Sequence, residues 1–288
     1  MIDSLLNISD LSKESLIQIL DHNANDSNLL KSKNIGLIFE KNSTRTRLSF
    51  LTGISELGGN PIEIKLEDLN LSREESFEDT FRALSCYLDG LIFRTTDHKK
   101  LIKAQKFFNK PIINGLSNIS HPCQILSDLY TLKEQFKSLA LNILWIGDMN
   151  NVCFSLCEAV NILDDLNLAI CTPKSISDSN KWKLRSNINI YNTISDLDLS
   201  KIDCVMTDVF ISMNDENDIE KIKLLSPYIV NSDIMDQTSS KCVFMHCLPA
   251  KVGYEVSEDI FKGVKSIVWR QAYNRKVAQK NLLSLINW

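Results

Sequence analysis

The residues best suited to chemistry stand in one short run, Ser43-Thr44-Arg45-Thr46-Arg47. An apolar stretch, residues 35–39, precedes it and reads as a short buried strand. Leu48, Leu51, Ile54 and Leu57 follow at helical spacing. The run is therefore predicted to sit where a strand hands over to a helix N-terminus. Free backbone N–H groups and the positive end of the helix dipole meet there, a setting that suits a phosphate. Two hydroxyls and a guanidinium sharpen such a site, because Arg offers phosphate oxygens a rigid fork of donors. The same residues also fit an N-capped surface helix with an ordinary Arg face, so the rest of the chain must decide. Only eight of the 32 basic residues are Arg. Where Lys supplies most of the charge, an Arg is more apt to be needed for its planar fork. Arg45, Arg47, Arg94 and Arg275 all fall in motif-like windows, as do His121 and His246, two of the four His.

The elements that would position these groups can be read in order. Residues 11–20 carry a helical pattern after Ser9-Asp10, and residues 61–66 alternate like a strand. Residues 68–76 read as an exposed polar loop containing Arg73, and a helix is predicted over about 77–88. A strand at 90–93 ends on Arg94, a helix covers 97–107, and a strand covers 110–114. Ser120-His121-Pro122-Cys123-Gln124 then opens a long helix, with Pro in the favourable first turn. After a polar stretch at 135–138 the pattern restarts, with strands at 141–146, 166–171, 203–207 and 242–245 and a helix at 152–163. Asn151, Asp208, Ser212, Met213, His246 and Cys247 all follow strands of this second half. An amphipathic helix over 271–286, opening near Asn274-Arg275, closes the chain. Strands alternating with helices predict α/β architecture, two doubly wound parallel sheets, with ligands bound beyond the carboxyl ends of the strands.

Composition narrows the classes. A chain of 288 residues allows one large or two medium domains. Its net charge of −4 gives no basic footprint for nucleic acid, and no stretch approaches the roughly 20 apolar residues of a membrane span. The first residues lack the basic and apolar regions of a signal peptide, so the eight Cys, without CxxC pairs, are expected to be free thiols in the cytoplasm. The turn from Trp145 to Val152 is a weak dinucleotide candidate, because Met149 and Asn151 stand where a fingerprint needs glycine. No cluster with metal-ligand spacing is visible.

Taken singly, each polar residue has a structural reading. His121 fits a helix cap, Arg94 a surface ion pair, Cys247 core packing, Asp208 a cap, and Arg275 a salt bridge. Together, Ser43-Thr44-Arg45-Thr46-Arg47, then Arg94 after a strand, then His121-Pro122-Cys123-Gln124, resemble the aspartate and ornithine carbamoyltransferases. Residues 147–152, 207–213, His246-Cys247-Leu248-Pro249-Ala250 and Asn274-Arg275 resemble the ornithine branch. The likeness runs from about residue 35 to 285, with the motifs in order. It departs at Asn42, where the family usually has Pro, at Asn214, where Gly is common, and in the loop 69–76, which has Asn70 and Arg73.

The resemblance implies a carbamoyl-phosphate domain at 1–135, completed by a C-terminal helix, 271–288, that crosses back to it. It implies an ornithine domain at 136–270 and an active site in the cleft between the two. It implies that Ser43, Thr44, Arg45 and Thr46 hold the phosphate of carbamoyl phosphate, with Arg94, His121 and Gln124 on its phosphate and carbonyl ends. Asn151, Asp208, Ser212 and Met213 would bind ornithine, and Cys247, Leu248 and Arg275 would complete the site. Of these, Arg45, Arg94, His121, Asp208, Cys247 and Arg275 would be catalytic, with no cofactor and no metal. A homotrimer or a multiple of trimers is implied, with the loop 69–76 near a neighbouring site. Two other readings are another amine, such as putrescine, and a regulatory homologue without turnover; against the latter, every charged group the chemistry needs is present.

Overall fold

A computed structural model describes residues 2–69, 75–211 and 219–288. The elements are α1 (Lys13–Asp21), β1 (Asn34–Phe39), α2 (Arg45–Glu56), β2 (Asn60–Ile64), α3 (Phe77–Tyr87), β3 (Gly90–Arg94), α4 (His98–Phe107), β4 (Ile112–Leu116) and α5 (Pro122–Phe136). There follow β5 (Asn142–Ile146), α6 (Asn151–Ile162), β6 (Asn167–Cys171), α7 (Lys174–Ser179), β7 (Ile188–Tyr191), β8 (Cys204–Thr207), α8 (Ile219–Leu225), α9 (Ser232–Met235), β9 (Val243–His246), α10 (Glu258–Phe261) and α11 (Val268–Leu285). Two compact units result: Met1–Tyr130 with Tyr273–Trp288, and Thr131–Ala272. The divisions fall inside α5 and inside α11.

Unit 1 is built on a parallel sheet in the order β2-β1-β3-β4. The central strands β1 and β3 are apolar and buried, as strands covered on both faces must be. Pro61 lies in β2, an edge strand, where its missing N–H costs no central ladder bond. Beside the other edge, Leu5 bridges to Ile113, and its N–H donates to the Ile112 carbonyl. Chain order reverses between β1 and β3, so their carboxyl ends flank the point where such sheets open to a ligand. The last part of α11 belongs to this unit. Asn281 Nδ2 donates to the carbonyls of Ile19 and His22, and its Oδ1 accepts from the Ala24 N–H. A Cβ on Gly53 of α2 would meet Lys280 Cγ at 3.2 Å, so the two helices pass close together.

Unit 2 repeats the plan with five parallel strands, β7-β6-β5-β8-β9, and here order reverses between β5 and β8. Its core gathers Leu144, Ile146, Val205, Phe244 and Val268. Helix starts follow capping rules: Ser12, Ser76, Asp97 and Asn150 each accept a backbone N–H from the first turn of the helix they precede.

Three readings need correction. The buried face of α2 is Thr46, Ser49, Phe50, Gly53 and Ile54, whereas Leu48 is 46% exposed. Phe50 is the largest apolar group in the helix, and burying it turns Leu48 outward. The closing helix begins at Val268, so Arg275 lies within it, not at its opening. Strand β7 was not anticipated: it is a four-residue edge strand whose mixed exposure leaves little periodic signal.

The turn after α2 is a sharp constraint on unit 1. Gly58 has φ +82°, and a Cβ there would stand 2.0 Å from the Ser27 carbonyl oxygen. Because that obstacle is backbone, Gly58→Ala is expected to destabilise the protein by at least about 2 kcal/mol. Urea unfolding should show this as a lower midpoint with an unchanged slope.

Candidate active site

Polar side chains of unit 1 converge at the carboxyl ends of its strands. The run Ser43-Thr44-Arg45-Thr46 follows β1 and enters α2, with Thr44 at the N-cap position and its hydroxyl making no cap bond. Arg94 ends β3 and is 5% exposed; His121 precedes α5 and is also 5% exposed. Arg275 is 2% exposed; its Nη2 donates to Thr46 Oγ1 at 2.7 Å and its Nη1 to Gln124 Oε1. Gln124 Nε2 in turn donates to Asp128 Oδ1 at 2.8 Å.

The electrostatics of this group are those of an anion site. Burial, then Arg275, Arg94 and Arg45, hold the His121 imidazole well below its ordinary range, so it stays neutral. Burial, then Arg275 and Arg45, push the Arg94 guanidinium down to about 10. Each cause works against positive charge, and an anion entering the site would oppose them by its own attraction. Cys123, next to Pro122, has its thiol pushed up to about 12 by burial, and its Sγ faces the Asn114 carbonyl at 3.4 Å. It packs as a small apolar group.

Unit 2 gathers a second set at its own reversal point. Gly147 follows β5 with φ +121°, and a Cβ added there would meet the Phe210 ring at 3.2 Å. The turn then reaches Asn150, whose Oδ1 caps α6 at the N–H groups of Val152 and Cys153, while its Nδ2 donates to Asp208 Oδ2 at 2.9 Å. Asp208 follows β8, and burial raises its carboxyl pKa, partly offset by the bonds from the Val209 N–H and Asn150. Beyond β9, Cys247 is 7% exposed and Leu248 is half-buried. His246 is fully buried: its main-chain N–H donates to Gln271 Oε1 at 3.0 Å, and its Nδ1 accepts from the Leu248 N–H at 2.8 Å. The ring proton therefore lies on Nε2, facing Glu255 Oε1 at 3.1 Å.

The structure thus brings together Arg45, Thr46, Arg94, His121, Gln124 and Arg275 in unit 1, with Ser43 and Thr44 on the same turn. In unit 2 it places Asp208, Cys247 and Leu248 after adjacent strands. Asn151 opens α6, but the recorded bond to Asp208 comes from Asn150. Ser212 and Met213 lie outside the described residues, as do Asn70, Arg73 and Asn214. Sequence reading missed Asn150, Asp128, Glu255 and Gln271. A cap residue directly before α6 was a usable signal for Asn150; no local signal marks a Glu nine residues beyond the His it touches.

The description "Aspartate/ornithine carbamoyltransferase, carbamoyl-P binding domain" matches residues 3–134, and the "Asp/Orn binding domain" of the same family matches residues 140–286. The chain belongs to the aspartate/ornithine carbamoyltransferase family. It is 35% identical over 300 residues to the ornithine carbamoyltransferase of Methanocaldococcus jannaschii, covering 98% of each chain. It is 39% identical over 303 residues to that of Staphylothermus marinus, covering 98% of this chain and 96% of the relative. The solved ornithine carbamoyltransferase of Pyrococcus furiosus superposes with TM-score 0.88 at 34% identity, over 99% of this chain and 97% of that one. The anabolic enzyme of Campylobacter jejuni gives 0.87 at 32%, over 98% and 97%. One detail sharpens the family match: Arg275 lies in the second matched segment, yet the structure assigns it to unit 1 beside Thr46.

The neutral state of His121 has a consequence for stability. An unfolded chain protonates this imidazole below its free pKa of about 6.5, whereas the folded chain resists. Its contribution is thus constant above that pH and is lost as pH falls below it. Urea midpoints measured from about pH 8 down to about pH 5 should fall less steeply for His121→Gln than for the parent.

Proposed function

We propose that the chain transfers the carbamoyl group of carbamoyl phosphate to the δ-amine of L-ornithine, giving L-citrulline and phosphate. The observation that carries this is the group of three guanidiniums, Arg45, Arg94 and Arg275, around the neutral His121 in unit 1. Such a group favours a doubly charged phosphate, and it can hold one without a metal. Ser43, Thr44, Arg45 and Thr46 bind the phosphate in this reading, with Arg94 neutralising it as it leaves. Attack of the amine on the carbonyl carbon puts negative charge on the carbonyl oxygen. Arg45, Thr46, His121 and Arg275 are donors for that oxygen, held in place by the bonds from Arg275 to Thr46 and Gln124. A neutral His121 can still donate one N–H, and it adds no further positive charge to the cluster.

The amine side rests on unit 2 in the same proposal. An alkyl ammonium has a pKa of about 10.4 and must lose a proton before it attacks. Asp208, Cys247 and Leu248 surround the amino acid, with Asn151, Ser212 and Met213 as further ligands. Asn150 braces Asp208, and the His246–Glu255 pair holds the Leu248 N–H and so fixes the turn that carries Cys247. The proposal extends to a cytoplasmic homotrimer, or a multiple of trimers, in arginine and citrulline metabolism. Light scattering on the purified protein tests the assembly.

Arg45→Lys keeps the charge and loses the fork. Turnover is expected to fall by about 10²–10³, the usual result of removing a donor to a developing oxyanion. Near-normal citrulline formation in that variant would reduce the opening run to a capped helix.

Ornithine carries an α-amino and an α-carboxylate group that putrescine lacks. A site built to pair with those groups leaves its own polar atoms unmatched when they are missing. Catalytic efficiency with ornithine is therefore expected to exceed that with putrescine by several orders of magnitude, with aspartate inactive. Asp208→Ala should erode both the preference and the rate. Steady-state kinetics with both amines decide this: equal efficiencies would reject the amine and leave carbamoyl transfer standing.

A further inference from the structure

Glu40 is a carboxylate only three residues before the anion-binding run, where an unmatched negative charge would repel phosphate. Both of its oxygens are committed elsewhere within unit 1. Oε2 accepts from Thr95 Oγ1 at 2.7 Å, from the Thr96 N–H at 2.9 Å and from Thr96 Oγ1 at 3.3 Å. Oε1 accepts from Lys100 Nζ at 2.7 Å. Its own main-chain N–H donates to the Arg94 carbonyl at 2.9 Å. The Glu40 side chain is 10% exposed, which shelters its bonds to Thr95 and Thr96, while Lys100 reaches it from the surface at 44% exposure. Together they fasten the first residue after β1 to the last residue of β3 and to the three-residue link into α4. Those are the two strand ends at which chain order reverses, and they carry Arg45 and Arg94.

We propose that Glu40 is a positioning residue for phosphate. It staples the β1 and β3 ends so that the Arg45 and Arg94 guanidiniums are held together before any anion binds, and Lys100 neutralises its charge. Two like charges kept at one place repel each other, and without a restraint the strand ends would relax apart. Glu40 supplies the restraint by four hydrogen bonds, two of them to hydroxyls and one to a main-chain N–H. The hydroxyl of Thr95 belongs to this staple: that side chain is 1% exposed, and it also accepts from the Asp97 N–H at 3.2 Å. Groups that brace metal ligands from behind change metal affinity by about 10- to 100-fold when removed, although they touch no metal, and a staple behind a phosphate site acts in the same way.

The inference rests on the phosphate-binding reading of this strand end, and inorganic phosphate as the probe separates the two. The phosphate Kd is measured by calorimetry on the full-length protein, beside KM for carbamoyl phosphate and for ornithine. Glu40→Ala should weaken phosphate by at least about tenfold and raise KM for carbamoyl phosphate in parallel. KM for ornithine at saturating carbamoyl phosphate should change by less than about twofold. Glu40→Gln keeps an acceptor for Thr95 and the Thr96 N–H, so combined with Lys100→Met, which removes the unmatched ammonium, it should recover most of the loss. Should the Ala variant fail to fold, Thr95→Val removes one arm of the staple, with an expected loss of about threefold in phosphate affinity. Unchanged phosphate affinity in the folded variants, or an equal rise in both KM values, overturns the proposal. A parent protein that binds phosphate but makes no citrulline overturns the carbamoyl-transfer reading and leaves the staple standing.

Discussion

Unit 1 is organised by a repulsion. Arg45 and Arg275 act on Arg94, and all three act on His121; Arg94, Arg275 and His121 are buried where little water can screen them, and Arg45 is half-buried. A folded chain left to itself would separate such charges. Here they come from three distant places: the helix start after β1, the end of β3 and the interior of α11. A parallel sheet suits this arrangement, because its strands all end on one side and reverse order at one place. The bonds from Arg275 to Thr46 and Gln124 consume part of its donor capacity. The remaining positive field has its natural counterpart in a phosphate.

Unit 2 answers a different requirement with the same scaffold. Its reversal point joins Asn150 to Asp208, a neutral amide to a carboxylate that burial holds above its usual pKa. Beside it, His246 accepts from one main-chain N–H and faces a buried Glu, so the turn at Cys247 and Leu248 has a defined shape. A guanidinium cluster selects charge. A set of sheltered amide, carboxyl and thiol groups can select shape and hydrogen-bond pattern, because each unmatched group carries a desolvation penalty. The division of labour between phosphate recognition and amine recognition in the proposed reaction matches this difference in chemistry.

The sequence by itself determined the local strand-turn-helix units, because hydrophobic periodicity and turn chemistry act over a few residues. It therefore placed Ser43-Thr44-Arg45-Thr46 at a helix start, Arg94 at a strand end, His121 before Pro122, and Asp208 and Cys247 just after strands. Alternating strands and helices also announced parallel sheets, and the motif order announced the family. Tertiary structure alone decided what meets what. Arg275 reaches Thr46 across 229 residues and Gln124 across 151, a contact no local pattern encodes. The buried face of α2 was set by the packing of Phe50, which left Leu48 outside the core. Asn150 bonds Asp208, because a cap residue points its amide back over the turn. Glu40 and Glu255 looked like ordinary acidic residues until the fold surrounded them with donors. Local rules fix which groups stand at strand ends; the order in which strands pack, set by long-range burial of apolar surface, fixes which strand ends are neighbours.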